Sequence, residues 1–354
     1  MPTQFFTSAS AIRAKYGTWA GKILASVHDL GEVDDISGET PDGIRARVSA
    51  LDPGVPVCLV GGYDVIPPFM RDNPTFGLTG DQDGEIPTDA PYAANLGRVT
   101  QEYCPARAIS RIPDGTKSDA PSFLKILSFQ RRAARSRTPD GSFEIAAAEF
   151  SGAASFVNAS IPNPSKGMPR QSPPDSIDDY DLPQRITGRG RIHILLHGSD
   201  RSPDWAYLFG HDGQPAGFPR AISARILDLC DLRGSIVTFG SCYAAMLDTG
   251  ESEAQVRSEA NQVALACLGH GAKAVIGATR ANWISMTKPY NAFGPGLVSR
   301  VWQELGNHVA AAEALRAAKA HFLRDGLAGP RQDRPYLLKT ALQFQCYGHP
   351  DATL

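Results

Sequence analysis

A chain of 354 residues, 42% hydrophobic and 20% charged, has ample apolar material for a buried core, as one large α/β domain or as two smaller ones sharing an interface. Its formal net charge of −2 excludes a general nucleic-acid binder, which needs a basic surplus to neutralise phosphates. No run approaches the roughly 18 apolar residues of a membrane span, and Met1 to Ser10 has no basic stretch leading into an apolar segment, so a soluble cytoplasmic protein without membrane contact is expected.

Residues 8–52 read as mostly helical, with Ile12, Leu24, Val27, Ile44, Val48 and Leu51 at helical spacing. The apolar burst Val55 to Val60, ended by Gly61 and Gly62, has the pattern of a strand covered on both faces. Pro67 to Tyr92, dense in Pro, Gly and Asp, reads as loop, 106–112 as a brief strand and 118–135 as an amphipathic helix. A second cycle starts at Phe143. The stretch 162–181, rich in proline and Asp, cannot support a packed core, and 162–189 is expected to be an exposed, mobile loop. Then come strand 192–196, helix 221–232 as the crossover, strand 235–239, helix 263–268, strand 274–276 and a helical pair over 298–322. Such alternation means an α/β fold with its chemistry at the carboxyl ends of the strands.

Six cysteines, at 58, 104, 230, 242, 267 and 346, lack CxxC pairs and metal-ligand spacing. They are expected to be reduced thiols, with no metal and no cofactor: there is no GxGxxG after a strand and no Walker loop. His197 and Cys242 stand apart because each directly follows a buried-looking strand, so both emerge at one edge of one sheet. A thiol needs a nearby imidazole to take its proton, and Gly198 allows close backbone approach to a substrate. A packing cysteine and a surface histidine are the plain alternative. His193 reads as a satisfied core histidine, and His28, His211, His270, His308 and His321 lie without a paired nucleophile.

In chain order, VCLVGGYDVIPP (57–68), PTDAPYA (87–93), ARAISRIP (106–113), HILLHGSD (193–200), GSCYAAM (240–246) and LQFQCYGHPD (342–351) resemble the motifs of caspase-like cysteine peptidases. This clan comprises caspases, gingipains and CHAT-domain peptidases, and the likeness is strongest to gingipain-like bacterial enzymes. The resemblance implies a caspase-like three-layer sandwich with a mostly parallel central sheet flanked by helices. It implies an N-terminal caspase-like subdomain over 1–137 and a C-terminal catalytic one over 138–354. The implied activity is that of a cysteine endopeptidase, with His197 and Cys242 as the dyad and the backbone N–H groups of Gly198 and Cys242 at the oxyanion.

By the same resemblance, Asp89 and Trp283 fall near the acidic floor and aromatic wall of a pocket for a basic P1 side chain, Arg or Lys. Trp205 and Tyr207 are candidates for the substrate groove. The family's acidic residue after Val-Gly is replaced by Gly62, which leaves Asp64 as a substitute third member, and His349 stands where the family has Asp. The expected partner is a protein or peptide substrate. Lys166, Arg170, Arg185 and Arg189 make 162–189 a candidate cleavage site for a zymogen, switched on by itself, by an upstream protease or by a regulatory partner, as bacterial relatives acting in defence suggest. The rivals are a peptidase with another P1 preference, a hydrolase or acyltransferase acting on small amides, and an inactive peptidase-like binding or signalling module.

Overall fold

The protein is described by a computed structural model covering residues 2–78, 80–95, 102–165, 167–179, 181–200, 204–214, 217–247 and 262–354. The chain runs β1 (Gln4–Thr7), α1 (Ala9–Tyr16), α2 (Ala20–His28), β2 (Val33–Asp35), α3 (Pro41–Ser49), β3 (Val57–Val60), β4 (Phe69–Asp72), β5 (Glu85–Thr88), β6 (Ile109–Ile112) and α4 (Ala120–Ala133). It continues with β7 (Ser142–Ala147), α5 (Ser151–Asn158), β8 (Arg170–Ser172), α6 (Leu182–Ile186), β9 (Arg191–Leu195), β10 (His197–Gly198), β11 (Tyr207–Phe209), β12 (Arg220–Ser223), α7 (Ala224–Leu227) and β13 (Ile236–Phe239). Last come α8 (Val263–Gly269), β14 (Ala274–Ala278), α9 (Phe293–Gly306), α10 (Ala311–Leu327), α11 (Arg334–Gln343) and β15 (Phe344–Gly348).

Ten strands form one sheet in the order β2-β1-β3-β6-β15-β14-β13-β9-β7-β8, parallel except where β15 meets β14. The strands are apolar on both faces because both faces are covered. In β13, Ile236 packs with Val298 and Trp302 of α9, whereas Val237 packs in the opposite cluster with Leu265 of α8 and Leu127 of α4. That alternation places one helical layer on each side. Local chemistry starts the helices where the fold needs them: Thr40 caps α3 ahead of Pro41, and Asp119 caps α4 by accepting from the Ser122 N–H. Among the described residues no helix is long and apolar enough to cross a membrane.

Three segments differ from the sequence reading. Within 67–92 lies a hairpin, β4 paired antiparallel to β5. Of the helix expected over 221–232 only the single turn α7 forms. Residues 220–223 are instead β12, paired to β11 with Leu208 opposite Ile222 and both buried, and the Ser223 hydroxyl then caps α7. The stretch 162–189 is not open loop throughout. β8 extends the sheet beside β7, and α6 buries Leu182 and Ile186. Two buried apolar side chains at i and i+4 suffice to anchor a turn whose flanks are polar.

Candidate active site

β9 and β13 are parallel neighbours, with Ile194 opposite Phe239. Continuing that register by three residues sets His197 opposite Cys242, each on the first stretch of chain beyond its strand. Two bonds fix the ends: the Gly240 N–H donates to the Ile194 carbonyl at 2.9 Å, and the Leu196 N–H donates to Ser241 Oγ at 3.0 Å. Gly198 has to be glycine, because a Cβ there would lie 1.8 Å from the Cys242 carbonyl oxygen.

The thiol sits in a nest of backbone groups. The Asn282 N–H donates to Cys242 Sγ at 3.2 Å, and Asn282 Nδ2 ties back to the Gly240 carbonyl at 2.7 Å. Tyr243, directly after the nucleophile, holds a left-handed φ of 56°, a conformation that bulky residues adopt only where surroundings impose it. Its N–H donates to the Arg280 carbonyl at 3.2 Å and its hydroxyl to Asp83 Oδ1 at 3.1 Å. Asp83 also accepts from the Ala281 N–H at 3.0 Å, so one carboxylate clamps both the Cys242 turn and the Asn282 turn. Fully buried Lys339 lies 3.5 Å from Asp83 and pairs with Asp81, so its one positive charge offsets part of the charge of the two carboxylates.

The imidazole of His197 meets a carboxylate that the sequence reading missed. Nε2 lies 2.5 Å from Glu149 Oε1. Glu149 follows β7, the neighbour of β9 on the side away from β13, so three adjacent strands each deliver one polar residue at their carboxyl ends. The strand-end rule that singled out His197 and Cys242 applies equally to the Glu after the apolar run 145–148. With Nε2 held by Glu149, Nδ1 is the nitrogen free to serve the thiol. Phe150 packs on the ring at 4.6 Å and Phe218 meets it edge-on at 5.0 Å. His211, read from sequence as uninvolved, brings Nδ1 to 3.0 Å from the same Glu149 oxygen. Among the described residues these three form the one group whose donor atoms, within 4.8 Å of one another, suit a metal ion.

Burial sets the protonation states. It pushes the Cys242 thiol above its usual 9.0, against the opposing pull of the Asn282 N–H and the Lys339 charge. It also holds His197 below 6.5, although the Glu149 hydrogen bond pulls the other way. Burial raises Glu149, but hydrogen bonds from His197 and His211 outweigh it and keep the carboxyl below its usual 4.5. At neutral pH the resting site is therefore a neutral thiol, a neutral imidazole and a carboxylate.

No protein-family model and no curated protein matches the chain. Among solved structures, the complex of the pro- and mature domains of Porphyromonas gingivalis RgpB aligns over 99% of this chain and 79% of that one, with a TM-score of 0.58 at 10% identity. RgpB is a gingipain, a caspase-like cysteine peptidase. The fold is caspase-like. Two Saccharomyces cerevisiae separase–securin complexes align over 69% of this chain and 14% of theirs, at TM-scores of 0.41 and 0.39 and identities of 10% and 11%, too distant to bear on the fold. At 10% identity the RgpB likeness speaks for the architecture, and the chemistry rests on this chain's own residues.

Within the caspase-like sheet the remaining candidates fall in different places. Asp64 follows β3, five strands from β9, a separation of roughly 24 Å at about 4.8 Å per strand. It pairs with Lys15 at 2.8 Å beside Asp114, so the carboxylate on His197 is Glu149 and not Asp64. Asp89 lies over β6 and β15, with both oxygens on Arg111: Oδ2 accepts from Nε at 2.8 Å and Oδ1 from Nη2 at 2.6 Å. Arg111 is wholly buried and Asp89 nearly so, which leaves Asp89 no free oxygen for a substrate cation. Trp283 adjoins Asn282 beside the thiol, edge-on to Tyr336 at 5.3 Å, with its buried Nε1–H unpartnered. Tyr207 is stacked under Arg220 at 4.1 Å, whereas the Trp205 side chain and Lys166 lie outside the described residues. In the candidate cleavage segment Arg170 pairs with Asp175 and Arg185 with Asp181, whereas Arg189 is exposed.

Proposed function

We propose that the chain is a cysteine endopeptidase in which Cys242 is the nucleophile, His197 the general base and Glu149 the residue that positions His197. The observation that carries this reading is the convergence of the three at the ends of adjacent strands, with Glu149 on the imidazole nitrogen that a thiol does not need. His197 Nδ1 takes the thiol proton as Sγ attacks the substrate carbonyl carbon. The negative charge gathers on the carbonyl oxygen, which the backbone N–H groups of Gly198 and Cys242 receive. The C–N bond then breaks, His197 returns the proton to the leaving amine, and water hydrolyses the thioester by the same base. Glu149 stabilises the imidazolium that forms at each transfer.

Trp283, next to Asn282 whose N–H reaches the thiol, supports a substrate wall there. A basic P1 preference rests on the gingipain resemblance at Trp283 alone, because Asp89 is committed to Arg111. Activation by cleavage in 162–189 falls most readily at Arg189, the exposed one among the described basic residues there. The test is a mixed peptide library incubated with wild type, Cys242→Ala and His197→Ala. Cleavage by wild type alone supports the reading, and the residue before the cut reports P1. Equal cleavage by Cys242→Ala refutes the nucleophile.

A further inference from the structure

Glu149 Oε1 is the meeting point of two imidazole nitrogens, His197 Nε2 at 2.5 Å and His211 Nδ1 at 3.0 Å. General base chemistry needs one imidazole and one carboxylate, so His211 is unaccounted for by the dyad and its positioning residue. It is also placed with care. The Gly213 N–H comes to 3.1 Å of Nδ1, and the ring of Phe218 stacks on it at 4.4 Å with an interplanar angle of 16°. An Nδ1 approached at once by an N–H donor and a carboxylate acceptor cannot satisfy both with one proton or one lone pair. The three side chains are 30%, 18% and 16% exposed for His197, Glu149 and His211, so the group is reachable from solvent without being loose on the surface. A shallow cleft lined by Asp212, Phe218 and Pro219 opens beside it.

Two imidazole nitrogens and a carboxylate oxygen, all within 4.8 Å of one another and open on one side, are the donor set of a three-ligand zinc centre that keeps a fourth position for water. We propose that Glu149, His197 and His211 bind Zn2+ and that the bound ion switches the peptidase off. The off-switch follows from the tautomer. In the working site the His197 proton sits on Nε2, facing Glu149, and Nδ1 carries the lone pair. A metal on Nε2 needs a lone pair there, so the Nε2 proton is displaced and the neutral ring carries its one proton on Nδ1, where it faces the thiol. His197 then has no site to receive the Cys242 proton, and Glu149 is drawn to the metal. No bond to Cys242 is required. The regulatory half rests on the peptidase reading above, and the metal site stands independently of it.

The experiment titrates Zn2+ into the full chain by calorimetry, with wild type, Cys242→Ala, His211→Ala and His211→Gln in parallel and thermal melts to verify folding. One site is expected in wild type and in Cys242→Ala, weakened at least about tenfold in both His211 variants. Peptide cleavage by wild type should fall as that site fills and return on adding EDTA, and the cleavage left in the His211 variants should no longer respond to the same zinc concentration. Wild-type affinity in folded His211 variants, or no binding in wild type, overturns the site. Loss of binding in Cys242→Ala also overturns it, by placing the metal on the thiol. If no variant cleaves any peptide, before or after limited proteolysis within 162–189, the peptidase reading fails and the calorimetry still decides the metal.

Discussion

Neutralising Asp89 separates a structural carboxylate from one that reads substrate. Arg111 is wholly buried and donates to both Asp89 oxygens from Nε and Nη2, and its Nη1 donates to the carbonyls of Gly61, Gly62 and Ile66 at 2.8, 3.2 and 2.9 Å. Asp89→Asn leaves the guanidinium buried with its charge uncompensated, a loss of about 3–5 kcal/mol. Unfolding entropy of about 2.1 cal/mol/K per residue over 354 residues is about 0.7 kcal/mol/K, so the melting temperature should fall by about 4–7 °C. Replacing both partners, Asp89→Asn with Arg111→Met, should cost less than Asp89→Asn alone, because no charge is then stranded. The assay is calorimetric melting of each variant alongside cleavage of matched substrates with Arg, Lys, Leu or Asp at P1. A carboxylate lining a specificity pocket behaves the other way: the variant melts with wild type and loses Arg and Lys substrates alone. That outcome would refute the ion-pair assignment.

Further expectations concern the dyad. Glu149→Gln keeps an acceptor for His197 Nε2 but removes the charge, a loss of about 1.5–3 kcal/mol and so about 10- to 100-fold in kcat/KM; the acid limb of its pH profile should move to lower pH, a shift that a merely destabilised enzyme would not show. In the wild type, activity requires neutral His197, which burial holds below 6.5, so the rate should survive as pH falls past 6.5 and drop only below it, with the alkaline limb set by Cys242 above 9.0. Gly198→Ala puts a methyl 1.8 Å from the Cys242 carbonyl oxygen and must displace the nucleophile's backbone; kcat should fall by at least about 100-fold while the far-UV spectrum stays that of wild type. Burial holds His193 at about 4. The unfolded chain therefore binds a proton that the folded one refuses between about 6.5 and that value, and stability should decline by up to about 3 kcal/mol over this window as pH falls. Chemical denaturation at stepped pH should show a smaller decline in His193→Asn.

The sequence by itself determined the α/β class and the strand-end placement of His197 and Cys242, because strands buried on both faces read as unbroken apolar runs and whatever polar residue ends such a run is exposed to view. Glu149 obeys the same rule, but nothing in a linear reading says that β7 lies beside β9 and so brings it to His197. Only the tertiary structure decides which carboxylate meets which cation. Asp89 and Asp64 sit in motifs that resemble a substrate pocket and a third catalytic member, yet Arg111 on β6 and Lys15 on α1 take them as ion-pair partners. His211 is equally mute in sequence, 62 residues beyond Glu149 by number and 3.0 Å from it in space. Periodicity reports burial, which is local to an element. Pairing of charges depends on strand order, and strand order is a property of the assembled sheet.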